Sequence, residues 1–152
     1  MTKQPLQTRA AGPALAEVVE APDDTLRQAI AAPLLEFNTA LAGASGQHAL
    51  ALVLRDAAGA VQGGLWGATA YGWLYTQMLV VPAAQRGTGV GSGLMLQAEE
   101  LALARGCHHA WVDTQFGAKA FYEKLGYALF GELPNYPQQH TRSFLQKKLG
   151  AA

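Results

Sequence analysis

The stretch Val80-Val81-Pro82-Ala83-Ala84-Gln85-Arg86-Gly87-Thr88-Gly89-Val90-Gly91 joins an apolar run to a glycine-rich one, with a single arginine at the join. Residue types in this order suit anion binding. Gly87, Gly89 and Gly91 carry no Cβ, so consecutive backbone N–H groups can converge on a phosphate at the start of a helix. Arg86 adds a fixed positive charge beside them.

Spacing separates three phosphate-binding patterns. A P-loop needs Gly, four residues, then Gly-Lys-Ser/Thr. No lysine lies between Lys3 and Lys119, which excludes that loop here. A dinucleotide fingerprint, Gly-x-Gly-x-x-Gly, would put its third glycine at Ser92 if counted from Gly87 or at Leu94 if counted from Gly89. The pattern that fits is Arg-x-x-Gly-x-Gly, as Arg86, Gly89 and Gly91, directly after a Val-Val-Pro strand end. Further along, Ala118-Lys119-Ala120-Phe121-Tyr122-Glu123-Lys124-Leu125-Gly126-Tyr127 reads as an amphipathic helix ended by glycine.

In this order, the two segments resemble the acetyl-coenzyme A pyrophosphate loop and the A-x-x-F-Y-x-K-x-G-F/Y segment of the GCN5-related N-acetyltransferase (GNAT) superfamily. The resemblance is close from Gly72 to Leu149 and rests on element order before that. It implies an α/β (α+β) fold, the acyl-CoA N-acyltransferase fold, with a mixed central sheet whose strands splay apart between flanking helices. It implies acetyl-CoA as cosubstrate and direct transfer to a primary amine in a ternary complex. The acceptor would be a small molecule or a peptide amine.

The same resemblance distributes the cofactor contacts. Backbone groups of Leu79, Val80 and Val81 would bond the acetyl and pantetheine portions like an added strand. Arg86, Gly87, Thr88, Gly89, Val90, Gly91 and Ser92 would hold the pyrophosphate, although Thr88 stands where the family often has a basic residue. Gln115 falls where many relatives carry asparagine, and with Ala118 it completes the expected contacts. Tyr122 is the catalytic nomination, because direct transfer from a thioester needs an acid beside the departing sulfur, and a phenol of pKa about 10 can serve.

The amine must also lose a proton, and no base is nominated cleanly. Gln77 stands on the central strand where a carboxylate would have been persuasive, leaving Asp113, His109, His48 and His140 as candidates. Trp66, Tyr71, Trp73, Tyr75 and Tyr136 supply aromatic groups for an acceptor site if two or more of them line the cleft. His108-His109 lacks companion ligands, so no metal site is expected. Cys107 is read as a small buried residue, since nothing near it would activate a thiolate. The alternative to an enzyme is a non-catalytic acyl-CoA-binding sensor that keeps the loop at 86–92 without turnover.

Composition sets the limits around these sites. The chain has 152 residues, with eleven basic and eleven acidic side chains giving a formal net charge of +0. Such a chain projects no long-range field toward nucleic acid or anionic lipid, so neither is expected as a partner. A lone cysteine rules out an internal disulfide and suits a reducing cytoplasm. The uncharged run from Ala57 to Gln85 is broken by glycines and Pro82, so it reads as strands and not as a membrane helix. The family resemblance admits a homodimer.

The positioning elements follow from periodicity and punctuation. Residues 1–12 read as a flexible tail and 13–150 as one domain. Leu15 to Glu20 is expected as a first strand. Residues 24–42 are expected as two short helices divided at Pro33, starting at Asp23-Asp24-Thr25. His48 to Arg55 and Ala60 to Ala68 form a hairpin around Asp56-Ala57-Ala58-Gly59, followed by a third strand from Gly72 to Val81. Val90, Leu94, Ala98, Leu101 and Ala102 mark one face of a helix that stops at Arg105-Gly106. A strand from His108 to Thr114, a helix from Gly117 to Lys124, and strands at Tyr127 to Glu132 and Thr141 to Leu149 complete the chain.

Overall fold

The computed structural model describes residues 16–150, which fall into two units divided after Ala44. The expected tail at 1–12 and Leu15 lie outside the described residues.

In the first unit, residues 16–20 carry no strand, against expectation. Val18 and Val19 have strand propensity, but that propensity reflects packing on a pleated neighbour more than any preference of the isolated backbone. Helix α1 (Asp24–Ala42) begins at Asp23, whose Oδ1 accepts the Leu26 N–H at 2.8 Å. It ends at Gly43, in positive φ, whose N–H donates to the Thr39 carbonyl. Pro33 lies inside this one helix and does not divide it. A proline there removes one N–H and crowds the Ala29 carbonyl, at a cost of about 3 kcal/mol. The alanine- and leucine-rich flanks, with no second breaker, carry the helix through.

The second unit is built on a six-stranded mixed sheet in the order β1-β2-β3-β4-β6-β5. Strands β1 (His48–Arg55), β2 (Val61–Ala70) and β3 (Trp73–Val80) form an antiparallel meander. Asp56 shapes the first turn by accepting the N–H groups of Ala58 and Ala60, each at 2.9 Å. Tyr71 and Gly72 both take positive φ in the second, the requirement of a two-residue hairpin turn that matches strand twist. Helix α2 (Val90–Ala104) then crosses over to β4 (His109–Thr114), which runs parallel to β3. The short helix α3 (Lys119–Lys124) leads to β5 (Ala128–Pro134) and β6 (Thr141–Lys148), and β6 lies antiparallel between β4 and β5.

The core gathers Leu50, Leu65, Leu74, Ala110, Val112 and Leu145 from the sheet with Leu94, Met95, Ala98 and Ala102 from α2 and Tyr122 from α3. Alternate strand residues share a face, so Leu74 with Thr76 and Ala110 with Val112 turn inward together. The buried side of α2 runs through Gly91, Leu94, Met95, Ala98, Glu99 and Ala102. Leu101, expected on this face, is exposed, and Met95 takes its place. Ala98 and Ala102 are fully buried and small, which lets the helix sit close to the sheet. Glu99, also buried, accepts the Tyr127 hydroxyl at 3.0 Å and the Lys147 ammonium at 2.7 Å. These bonds tie α2 to β6 and to the chain after α3.

Candidate active site

Two local features open the sheet. Parallel pairing of β3 with β4 ends at Thr76↔Val112, although β3 continues to Val80 and β4 to Thr114. Next to that point β3 carries a bulge, because Trp66 pairs with Met78 while Gly67 pairs with Thr76, leaving Gln77 extra. A bulge turns its strand and increases the local twist. Gly67 makes it sterically feasible, since a Cβ there would collide with the Tyr75 carbonyl oxygen. The β4-facing edge of residues 77–80 is therefore free of ladder bonds to β4.

The loop after β3 turns through Ala83–Gln85 as one turn of 3-10 helix and delivers Arg86, whose Nε donates to the Val81 carbonyl at 3.2 Å. Gly87 and Gly89 have φ of 73° and 88°, and Gly89 caps α2. No helical carbonyl serves the N–H groups in the first turn of an α-helix, and the first such bond of α2 runs from Gly93 to Gly89. A Cβ on Gly87 or Gly89 would meet nothing within 4 Å, so the open space beside this backbone is available to a guest. Gly91 lies in a tighter place than Gly87 and Gly89. A Cβ there would lie 3.3 Å from Val81 Cγ2 and 3.4 Å from the Phe121 ring, so this glycine lets helix, strand and α3 pack together.

A groove of about 750 Å³ runs along these elements. Of the residues expected to hold the cofactor, Leu79, Val80, Val81, Arg86, Gly87, Gly89, Gly91, Ser92, Ala118 and Tyr122 line it. Thr88 and Val90 do not. The Thr88 hydroxyl donates to the Gln85 carbonyl at 2.5 Å, bracing the loop, while Val90 packs against the core. Lys124 also lines the groove and was not nominated, although it is the lysine of the motif that contains Tyr122.

A second cavity, about 310 Å³, adjoins the groove, and Leu79, Val80 and Tyr122 line both. Gln115 belongs to this cavity, with its Nε2 donating to the Tyr136 carbonyl at 2.9 Å. Thr76 Oγ1 is buried in its wall without a hydrogen-bond partner among the described residues. Of the four candidate bases only Asp113 lines it. His109 stacks on Trp73 at 4.6 Å and His140 meets Phe116 edge-on at 5.0 Å. Asp113 itself is committed: Oδ1 accepts the Tyr75 hydroxyl at 3.0 Å and Oδ2 accepts Nε and Nη2 of Arg142.

None of Trp66, Tyr71, Trp73, Tyr75 or Tyr136 lines either cavity. Trp73 and Tyr75 alternate with the inward residues Leu74 and Thr76, so they stand on the opposite face of the sheet, where Tyr75 stacks on Trp111 at 3.9 Å. Besides Tyr122, the aromatic residue that lines the smaller cavity is Phe116. Arg142, missed in the sequence, lies in the last strand beyond any recognisable motif.

Tyr122 stands where groove and cavity meet. It is 6% exposed, with Phe121 and Tyr127 edge-on at 5.0 and 6.0 Å. Burial, and then the negative charge of Asp113, push its phenol up to about 12. It therefore remains a neutral O–H donor throughout the physiological range.

A six-stranded mixed sheet flanked by helices and opened beside a glycine-capped one makes this an α+β fold. Residues 16–127 match the model of the "Acetyltransferase (GNAT) family", and the chain belongs to that family. It is 39% identical over 127 residues to the acetyltransferase Atu2258 of Agrobacterium fabrum, covering 83% of this chain and 93% of that protein. The blasticidin-S acetyltransferase of Streptomyces morookaense is 40% identical over 93 residues, covering 60% of this chain and 68% of the relative. A crystal structure of a candidate acetyltransferase from Agrobacterium tumefaciens superposes with a TM-score of 0.84 at 36% identity, covering 88% of this chain and 98% of the other.

Proposed function

We propose that this protein transfers the acetyl group of acetyl-CoA directly to the primary amine of a small molecule in a ternary complex. One observation carries the reading. A continuous groove leads from the free N–H groups of the first α2 turn, past residues 79–81, to the buried phenol of Tyr122 and on into a second cavity. The open space at Gly87 and Gly89 and the unpartnered Thr76 hydroxyl fit a polar guest in that path. Similarity to an acetyltransferase named for blasticidin-S supports a small-molecule acceptor.

Acetyl-CoA, when bound, supplies an activated thioester. The chain holds and orients it. The α2 N-terminus and its partial positive charge, with Arg86 and Lys124, favour the pyrophosphate. Leu79, Val80 and Val81 offer main-chain groups to the pantetheine arm. Tyr122 keeps its proton at Oη next to the reacting centre. A phenol near 12 is a weaker acid than an alkyl thiol at about 8.5, so full proton transfer to a free thiolate would run roughly 5 kcal/mol uphill. The phenol is better suited to donate a strong hydrogen bond to charge developing on sulfur, while the acceptor nitrogen, cationic once the neutral amine has added to the thioester carbonyl, gives up the proton that the departing thiolate takes as the C–S bond breaks.

The rival reading, an acyl-CoA sensor without turnover, draws on Asp113, whose two oxygens are already engaged in the second cavity. Calorimetric titration with acetyl-CoA, with NADH as control, followed by thiol release against an amine panel, tests both readings. Saturable binding with turnover is the expected result. Binding without turnover favours the sensor, and no binding by folded protein removes both.

A further inference from the structure

Arg142 is held unusually firmly for a side chain that still meets solvent. Its Nε and Nη2 donate to Asp113 Oδ2, and Asp113 in turn accepts the Tyr75 hydroxyl. The Arg142 Cζ lies 4.8 Å over the Tyr136 ring. The loop carrying that ring is fastened by the Gln115 bond to the Tyr136 carbonyl. Asp113 thus fixes one edge of the guanidinium and Tyr136 covers one face. The Asp113 side chain is 6% exposed and that of Arg142 is 29% exposed.

A guanidinium has five N–H groups, and two of them serve Asp113. Among the described residues nothing accepts from Nη1. Arg142 lines the 310 Å³ cavity together with Tyr122, so the unspent edge is the one left to meet whatever enters beside the reacting centre. A preoriented fork of this kind matches a planar anion through parallel hydrogen bonds.

We propose that Arg142 reads a carboxylate on the amine acceptor, so that the preferred substrates are small amino-carboxylates. The proposal rests on the acetyl-transfer reading above. Charge selects carboxylate over phosphate. Asp113 already places one negative charge against this guanidinium, and no other cation among the described residues lines the cavity. A monoanion can share Arg142 with Asp113, whereas a dianion would be left undercompensated in a partly buried site. Asp113 and Tyr75 act as positioning residues, since the Asp113 oxygens are engaged by the Tyr75 hydroxyl and by the Arg142 fork.

The test pairs amines bearing a carboxylate with the same amines as carboxamides, using thiol release from acetyl-CoA as readout. The wild-type protein is expected to favour the carboxylate members by about tenfold or more in kcat/KM. Arg142→Lys keeps the charge but loses the fork, and should collapse that ratio through KM for the carboxylate members. Arg142→Gln alone leaves Asp113 buried without its partner, so the Arg142→Gln/Asp113→Asn double variant serves as the folded control, checked by calorimetric acetyl-CoA affinity. It too should lose the preference. Turnover of carboxamides with no carboxylate advantage, or a double variant that keeps the advantage, overturns the carboxylate site and leaves acetyl transfer standing. Silence across the whole panel in protein that binds acetyl-CoA counts against both readings.

Discussion

Tyr122 shows what burial does to the titration of one side chain. Loss of water around the ring and the nearby Asp113 charge both oppose ionisation, so the phenol titrates near 12 where an exposed tyrosine titrates near 10. Tyr122→Phe removes the O–H and little else. We expect kcat to fall by about a hundredfold with acetyl-CoA affinity retained; equal turnover in the two proteins would end the assignment. The pH dependence has a definite sign. Below about pH 10 the phenol is protonated in both folded and unfolded chains and contributes nothing to the pH slope. Between about 10 and 12 the unfolded chain ionises first, so stability falls as pH rises, by up to roughly 2.7 kcal/mol from this group. Denaturant melts of wild type and Tyr122→Phe should diverge in that window and run parallel below it.

The elements that build the groove use their glycines for different reasons, and substitution should separate them. Gly89 caps α2 at φ 88° beside open space, so Gly89→Val both strains the backbone and projects methyl groups into the groove. Acetyl-CoA affinity should drop at least tenfold in calorimetry, and unchanged affinity would contradict the phosphate cradle. Gly91 faces Val81 and Phe121 inside the protein. In Gly91→Ala the slight crowding of Val81 and Phe121 works against the gain in helix propensity, so chemical denaturation should shift by no more than about 1 kcal/mol, with affinity little changed. If Gly91→Ala instead weakened binding as much as Gly89→Val, this division of roles would be wrong.

Across the whole sheet-bearing unit, stability depends on connections far apart in sequence. Glu99 on α2 and Tyr127 after α3, both buried, form one cluster with the partly buried Lys147 on β6. Lys147→Met leaves the Glu99 carboxylate buried without its cation, which typically costs about 3–5 kcal/mol. The pair Lys119–Glu132, 3.5 Å apart, is exposed on both sides. Lys119→Met should change stability by no more than about 0.5 kcal/mol. Equal losses in the two variants, measured by urea unfolding, would remove the special weight given to the Glu99 cluster.

Local patterns were sufficient for much of this protein. The glycine spacing after an apolar strand, the Phe121-Tyr122 segment and the turn residues at Asp56 and Gly72 each act through neighbours within a few positions. The corresponding elements and the family were therefore legible from the chain. Local rules misled where the outcome depends on partners: Val18 and Val19 form no strand, and Pro33 does not end α1. Strand order, the point where β3 leaves β4, and the face on which each aromatic lies come from pairing register, and shifting a strand by one residue would exchange its two faces. For the same reason Arg142, Asp113 and Tyr75, distant in sequence, became a single unit only when β3, β4 and β6 lay side by side. Sequence alone determined the family, because the motifs that carry it are made of consecutive residues. Tertiary structure decided what lines the second cavity, because that cavity is assembled from strands whose proximity exists only in the fold.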